Sequence, residues 1–84
     1  MSNLNLTEKI EHISKRTTRE KLLSYLLSRS RETGQSSFTI PFDRQALADY
    51  LSVDRSAMSS ELGKMKAEGI LEFKKNHFIL NKLK

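Results

Sequence analysis

The apolar positions of this chain fall into four helical stripes and three short apolar runs. Leu6, Ile10 and Ile13 share one helical face, and Asn5 with Glu8 three residues on has the form of a capping box at its start. Residues 14–17 are polar and interrupt that helix. Thr17-Thr18-Arg19-Glu20 is a second capping box: the Thr17 hydroxyl can accept from the Glu20 amide while the Glu20 carboxylate reaches back. Leu22, Leu23, Leu26 and Leu27 follow as a stripe, and Gly34 supplies the left-handed stop.

Beyond Gly34 the period changes. Ser37 to Ile40 reads as a short strand closed by Pro41, which has no amide to give a sheet. Asp43 is placed to cap a helix that buries Ala46, Leu47, Tyr50 and Leu51. After the short connection Ser52-Val53, Asp54 caps a further helix whose expected buried side is Ala57, Met58, Leu62 and Met65, with Gly69 as its end. Ile70 to Phe73 and Phe78 to Leu80 flank Lys74-Lys75-Asn76-His77, a hairpin with a basic tip. Asn81 to Lys84 are expected to fray.

Length and composition then narrow the class. The chain has 84 residues, enough for one core. There is no cysteine, which removes disulfides and thiolate metal sites and leaves packing to hold the fold. No apolar run approaches the ~20 residues needed to cross a bilayer. The N-terminus has no basic-then-apolar signal pattern, so the cytoplasm is the expected compartment. Net charge is +5, unevenly spread: residues 1–54 carry 8 basic and 7 acidic side chains, residues 55–84 carry 7 and 3. A basic last third suits a polyanion.

Two short helices joined by a tight turn, the second well capped, form a helix-turn-helix candidate. The second helix, residues 54–67, leaves Arg55, Ser56, Ser59 and Ser60 on its outward N-terminal side. Short hydroxyls let a helix backbone come close to base edges, and an arginine can donate twice to guanine O6 and N7. These four are the candidate base contacts. Asp43, Arg44 and Gln45 at the start of the preceding helix, with Lys64 and the hairpin residues Lys74, Lys75, Asn76 and His77, are the candidate phosphate contacts.

Residues 38–73, FTIPFDRQALADYLSVDRSAMSSELGKMKAEGILEF, resemble the helix-turn-helix of Crp/Fnr transcription regulators: strand, proline, a capped Arg-Gln, Leu-Ala, a tight turn, a reading helix, then Glu-Gly-Ile. Residues 9–27 are similar to the linker and first helix of that family, so the resemblance spans residues 4–80. It implies an α+β fold, a small winged helix-turn-helix, with Arg55, Ser56 and Ser59 facing bases and Arg44 and the wing facing phosphates. It also implies residues 1–16 as a helical segment following a dimerisation helix, and residues 17–84 as the DNA-binding domain. Implied partners are double-stranded DNA, a second copy of the full-length protein, and RNA polymerase. The family's sensor domain has no counterpart in these residues, so no cofactor or effector is expected for this chain. Many members carry other residues at the positions of Ser56 and Ser60, which implies a different target site or weaker direct readout. Many also have glycine where Ser52 stands, which implies a serine in a left-handed or neighbouring conformation, at some cost.

Two other functional classes remain to be weighed. A winged helix that binds only proteins often lacks cations on its third helix and wing, and Arg55, Lys74 and Lys75 count against it. An enzyme has little to work with: His12 and His77 are the only histidines, no cluster has metal-ligand spacing, and Ser59 and Ser60 have no evident base. No catalytic or metal site is expected.

Overall fold

The computed structural model describes residues 6–81, with side chains from residue 9 onward. Helix α1 spans Leu6–Ile13, α2 Thr18–Thr33, α3 Arg44–Leu51 and α4 Arg55–Ala67; strands are β1 Ser37–Thr39, β2 Leu71–Lys74 and β3 His77–Leu80. The expected N-cap Asn5 lies outside the described residues, as do residues 82–84.

Local chemistry sets the boundaries. At the start of α2 the capping box is complete: the Glu20 N–H donates to Thr17 Oγ1 at 3.0 Å, and the Thr17 N–H donates to Glu20 Oε1 at 3.4 Å. Gly34, at φ 72 and ψ 16, ends α2 with its N–H on the Ser30 carbonyl. The Ala46 N–H donates to Asp43 Oδ1 at 2.8 Å and the Ala57 N–H to Asp54 Oδ2 at 2.9 Å, so both helices of the helix-turn-helix are capped by aspartate. Between them Ser52 takes the left-handed conformation, φ 60 and ψ 48. Its reversal lets the Val53 N–H reach the Ala48 carbonyl at 3.0 Å and swings α4 away from α3.

The three strands form one antiparallel sheet in the order β1-β3-β2, with β3 in the middle. Phe78 pairs with Phe38 on one side and Phe73 on the other. The core gathers one side of each element: Leu22, Tyr25 and Leu26 from α2, Leu47, Ala48 and Leu51 from α3, Met58, Leu62 and Met65 from α4, with Phe38, Ile40, Leu71, Phe78 and Leu80 beneath. Removing each large side chain from water contributes ~1.5–3 kcal/mol, which is what anchors α4 to the body without a disulfide.

Several expectations are corrected. Ile10 is 60% exposed, whereas His12, 2% exposed, is the buried one among the described side chains of α1, residues 9–13; the Leu6 side chain lies outside the described residues. Its Nδ1 lies 2.6 Å from Ser24 Oγ and its ring meets Tyr25 edge-on, centroids 5.7 Å apart, beside Tyr50. Ala57 is exposed, because α4 buries only the narrower stripe of Met58, Leu62 and Met65. Ala46 and Tyr50 are half-buried, and Ala48 completes the α3 contact instead. Asn81 does not fray: its N–H donates to the Ile70 carbonyl at 3.0 Å and its Nδ2 to the Gly69 carbonyl at 2.7 Å. The hairpin is tighter than expected, since Lys74 and His77 belong to the strands and only Lys75 and Asn76 turn.

Candidate nucleic-acid interface

Helix α4 turns three buried residues inward and leaves the other side open. Arg55, Ser56, Ser59 and Ser60 are all exposed, as expected from the sequence. Gly63, which sequence reasoning passed over, extends that side by one turn. A Cβ at Gly63 would meet nothing within 4 Å, so its smallness serves no internal packing. A mid-helix glycine costs ~1 kcal/mol relative to alanine. At 100° per residue, Ser56, Ser59, Ser60 and Gly63 form a single low strip where a bulky surface can approach the backbone.

Beside this strip lies a groove of about 630 Å³. Its walls include Asp43, Arg44 and Gln45 from the start of α3, Arg55 from the start of α4, and Lys75 and Asn76 from the hairpin turn. Half of the residues singled out in the sequence therefore meet in one concavity. Both helices point their N-termini toward it, and helix geometry leaves their first amides without intrahelical acceptors.

Each wall residue has a definite role. Arg44 is half-buried, its guanidinium stacked over Phe73 and Phe78 at 5.0 and 5.2 Å. Burial lowers its pKa, and the neighbouring Arg55 charge pushes the same way. Arginine stays protonated regardless, so the groove keeps two cations close together. Asn76 pins the turn: its Nδ2 donates to the Ile40 carbonyl at 2.9 Å, and its own carbonyl accepts from the Ile40 N–H at 2.9 Å. The hairpin tip is thus tied to the body at the groove rather than projecting free. That places Lys75, at φ 56, on the groove rim.

Other candidates are engaged differently. The Asp43 carboxylate caps α3, and Gln45 Nε2 donates one of its two N–H groups to Asp49 Oδ1 at 2.9 Å. His77 sits in β3, with Nε2 2.9 Å from Ser37 Oγ and Nδ1 2.9 Å from Thr39 Oγ1, bracing β3 against β1. Lys64 is exposed beyond the groove, 3.7 Å from Glu61. Lys74 is exposed at the end of β2.

On the side of α4 away from the groove, Arg19 of α2 joins Glu61 and Glu68. Nε lies 3.0 Å from Glu61 Oε1, and the guanidinium donates to both oxygens of Glu68 at 2.9 and 3.1 Å. The hydrogen bond from Arg19 lowers the Glu68 pKa below its ordinary value. Sequence reasoning saw Arg19 only within a capping box and Glu68 only within the Glu-Gly-Ile motif, because nothing local links residues so far apart.

Three helices around a core, a tight turn leading to an open fourth helix, and a three-stranded sheet whose hairpin flanks that helix define a winged helix-turn-helix. The profile of the family described as Crp-like helix-turn-helix domain matches residues 20–84, and the chain belongs to that family. It is a DNA-binding domain of the transcription-regulator type. No curated protein matches the chain. Among the described residues no helix is long and apolar enough to cross a membrane.

Proposed function

We propose that this domain binds a specific duplex DNA site by laying α4 into the major groove. The observation that carries the reading is the low, open strip of α4 beside a cation-walled groove. A major groove of B-DNA accepts a helix and displays a distinct donor and acceptor pattern for every base pair. Arg55 reads guanine through two donated bonds, while Ser56, Ser59 and Ser60 keep the approach close and offer short hydrogen-bonding groups. Arg44, Lys64, Lys74 and Lys75 meet backbone phosphates, and the Arg44 and Gln45 amides, which the Asp43 cap leaves open, add to them. In a longer dimeric protein two such domains read half-sites about one helical turn apart, ~34 Å centre to centre.

Selection of bound duplexes from a random pool, followed by salt titration, tests this. Four phosphate-facing cations predict that log K falls with log salt at a slope of about −3.6. Lys75→Ala lowers affinity for selected and scrambled duplexes alike and makes the slope shallower by about 0.9. Arg55→Ala removes preference at one base pair, ~1–3 kcal/mol. Salt-independent binding, or an Arg55→Ala protein that discriminates like the parent, refutes the assignment.

A further inference from the structure

We infer that Arg19, on α2 and outside the DNA-facing surface, is a positioning residue that fixes the rotation of α4 about its own axis. The inference rests on the reading of α4 given above. On an ideal helix Glu61 and Glu68 lie seven residues and about 20° apart, on one flank between the buried stripe and the open strip. Arg19 grips both points on that flank, and its salt bridges are only partly shielded, with side-chain exposures of 31% for Arg19, 24% for Glu61 and 49% for Glu68. On the opposite flank Lys66 lies over the Phe73 ring, 5.3 Å from its centroid.

The core alone holds this angle loosely. Apolar contact is non-directional, and the buried stripe consists of Met58, Leu62 and Met65, of which the methionines adapt readily to a shifted neighbour. With an outer helix radius of ~5–6 Å, a roll of about 20° carries a side-chain tip about 2 Å sideways, beyond hydrogen-bond tolerance. A planar guanidinium held by three bonds resists such a roll because it has direction as well as charge. Partly exposed ion pairs add little to stability. The clamp's effect is therefore on where the α4 strip points, not on whether the domain folds.

The test compares the parent with Arg19→Ala and Glu68→Gln. It uses a selected and a scrambled duplex, thermal melting, and amide NMR spectra of α4. Arg19→Ala is expected to cut the selected-to-scrambled affinity ratio about tenfold, the effect of one misaligned base contact. Loss of the Arg19 charge lowers affinity for selected and scrambled duplexes by the same small factor, which cancels in the ratio; the salt slope stays at the parental value, melting changes little, and the amide signals of residues 56–63 shift. Glu68→Gln lowers the ratio in the same direction, although loss of a negative charge by itself would tighten binding to every duplex. An unchanged ratio in both variants overturns the inference. If Arg19→Ala does not fold, Glu68→Gln decides alone. If the parent itself does not discriminate, the DNA reading falls instead, and unshifted amides in Arg19→Ala then overturn the clamp independently.

Discussion

Ser52 occupies the one position of the helix-turn-helix where the backbone must reverse, and replacing it with glycine is expected to stabilise the domain. Its φ of 60 and ψ of 48 bring a Cβ against the following carbonyl, a cost of ~1–2 kcal/mol for a non-glycine residue. Glycine removes that strain but loses more backbone freedom on folding, which takes back ~0.5–1 kcal/mol. The side chain is exposed, and among the described residues its hydroxyl has no hydrogen bond, so nothing else is lost. The backbone carbonyl that accepts weakly from Lys21 Nζ at 3.4 Å is present in either variant. The two ranges leave a net gain of about 0–1.5 kcal/mol, centred on 0.5–1 kcal/mol. For a domain of this size each kcal/mol moves the melting temperature by ~4–8 °C, so Ser52→Gly should melt about 2–8 °C above the parent. Ser52→Val, branched at Cβ, should melt well below it. Thermal unfolding followed by far-UV circular dichroism on the three proteins measures both. A glycine variant no more stable than the parent, with a valine variant equally stable, would refute the claim that this turn is strained.

Two further outcomes follow from the packing and the charges. Leu62, 1% exposed at the meeting of α4 with the body, should lose ~2–5 kcal/mol when cut to alanine, read from urea unfolding at constant slope. Arg19 holds the Glu68 pKa below its ordinary value of 4.5, so the carboxylate form is favoured in the fold. That contribution is fully present above pH 4.5 and disappears as the pH falls through the lowered value. The gap in melting temperature between the parent and Arg19→Ala, small at neutral pH, should therefore close on acidification below 4.5; a gap that widens there contradicts the pairing.

What the sequence made legible was what neighbours in the chain decide. The caps at Thr17, Asp43 and Asp54 and the stop at Gly34 each depend on a few consecutive residues, and each was readable from them, whereas the reversal at Ser52 was implied only by the family's glycine at that position. The exposed side of α4 was readable too, because Arg55 and the serines are poor candidates for a core. The buried side was drawn too wide: Ala57 suits either environment, and only the crossing of α4 over α2 decides it. His12 was illegible for the opposite reason. A polar residue is a poor guess for an interior position, and its burial depends on Ser24, Tyr25 and Tyr50, which arrive from other helices. The groove shows the same limit. Its members were identified one by one, yet the stacking of Arg44 on Phe73 and Phe78 and the pinning of the turn by Asn76 exist only once the sheet has formed.

The placement of β3 between β1 and β2 sets an order on assembly. Neither outer strand has a partner until residues 77–80 arrive, and Phe78 and Leu80 come with them as the floor of the core. On a ribosome the helices can gather early, but the sheet waits for its middle strand to clear the exit tunnel. A chain cut just before residue 77 keeps every residue of α4 and still lacks the surface against which that helix is held. Loss of those few residues should make the domain a substrate for proteolysis rather than a weaker binder.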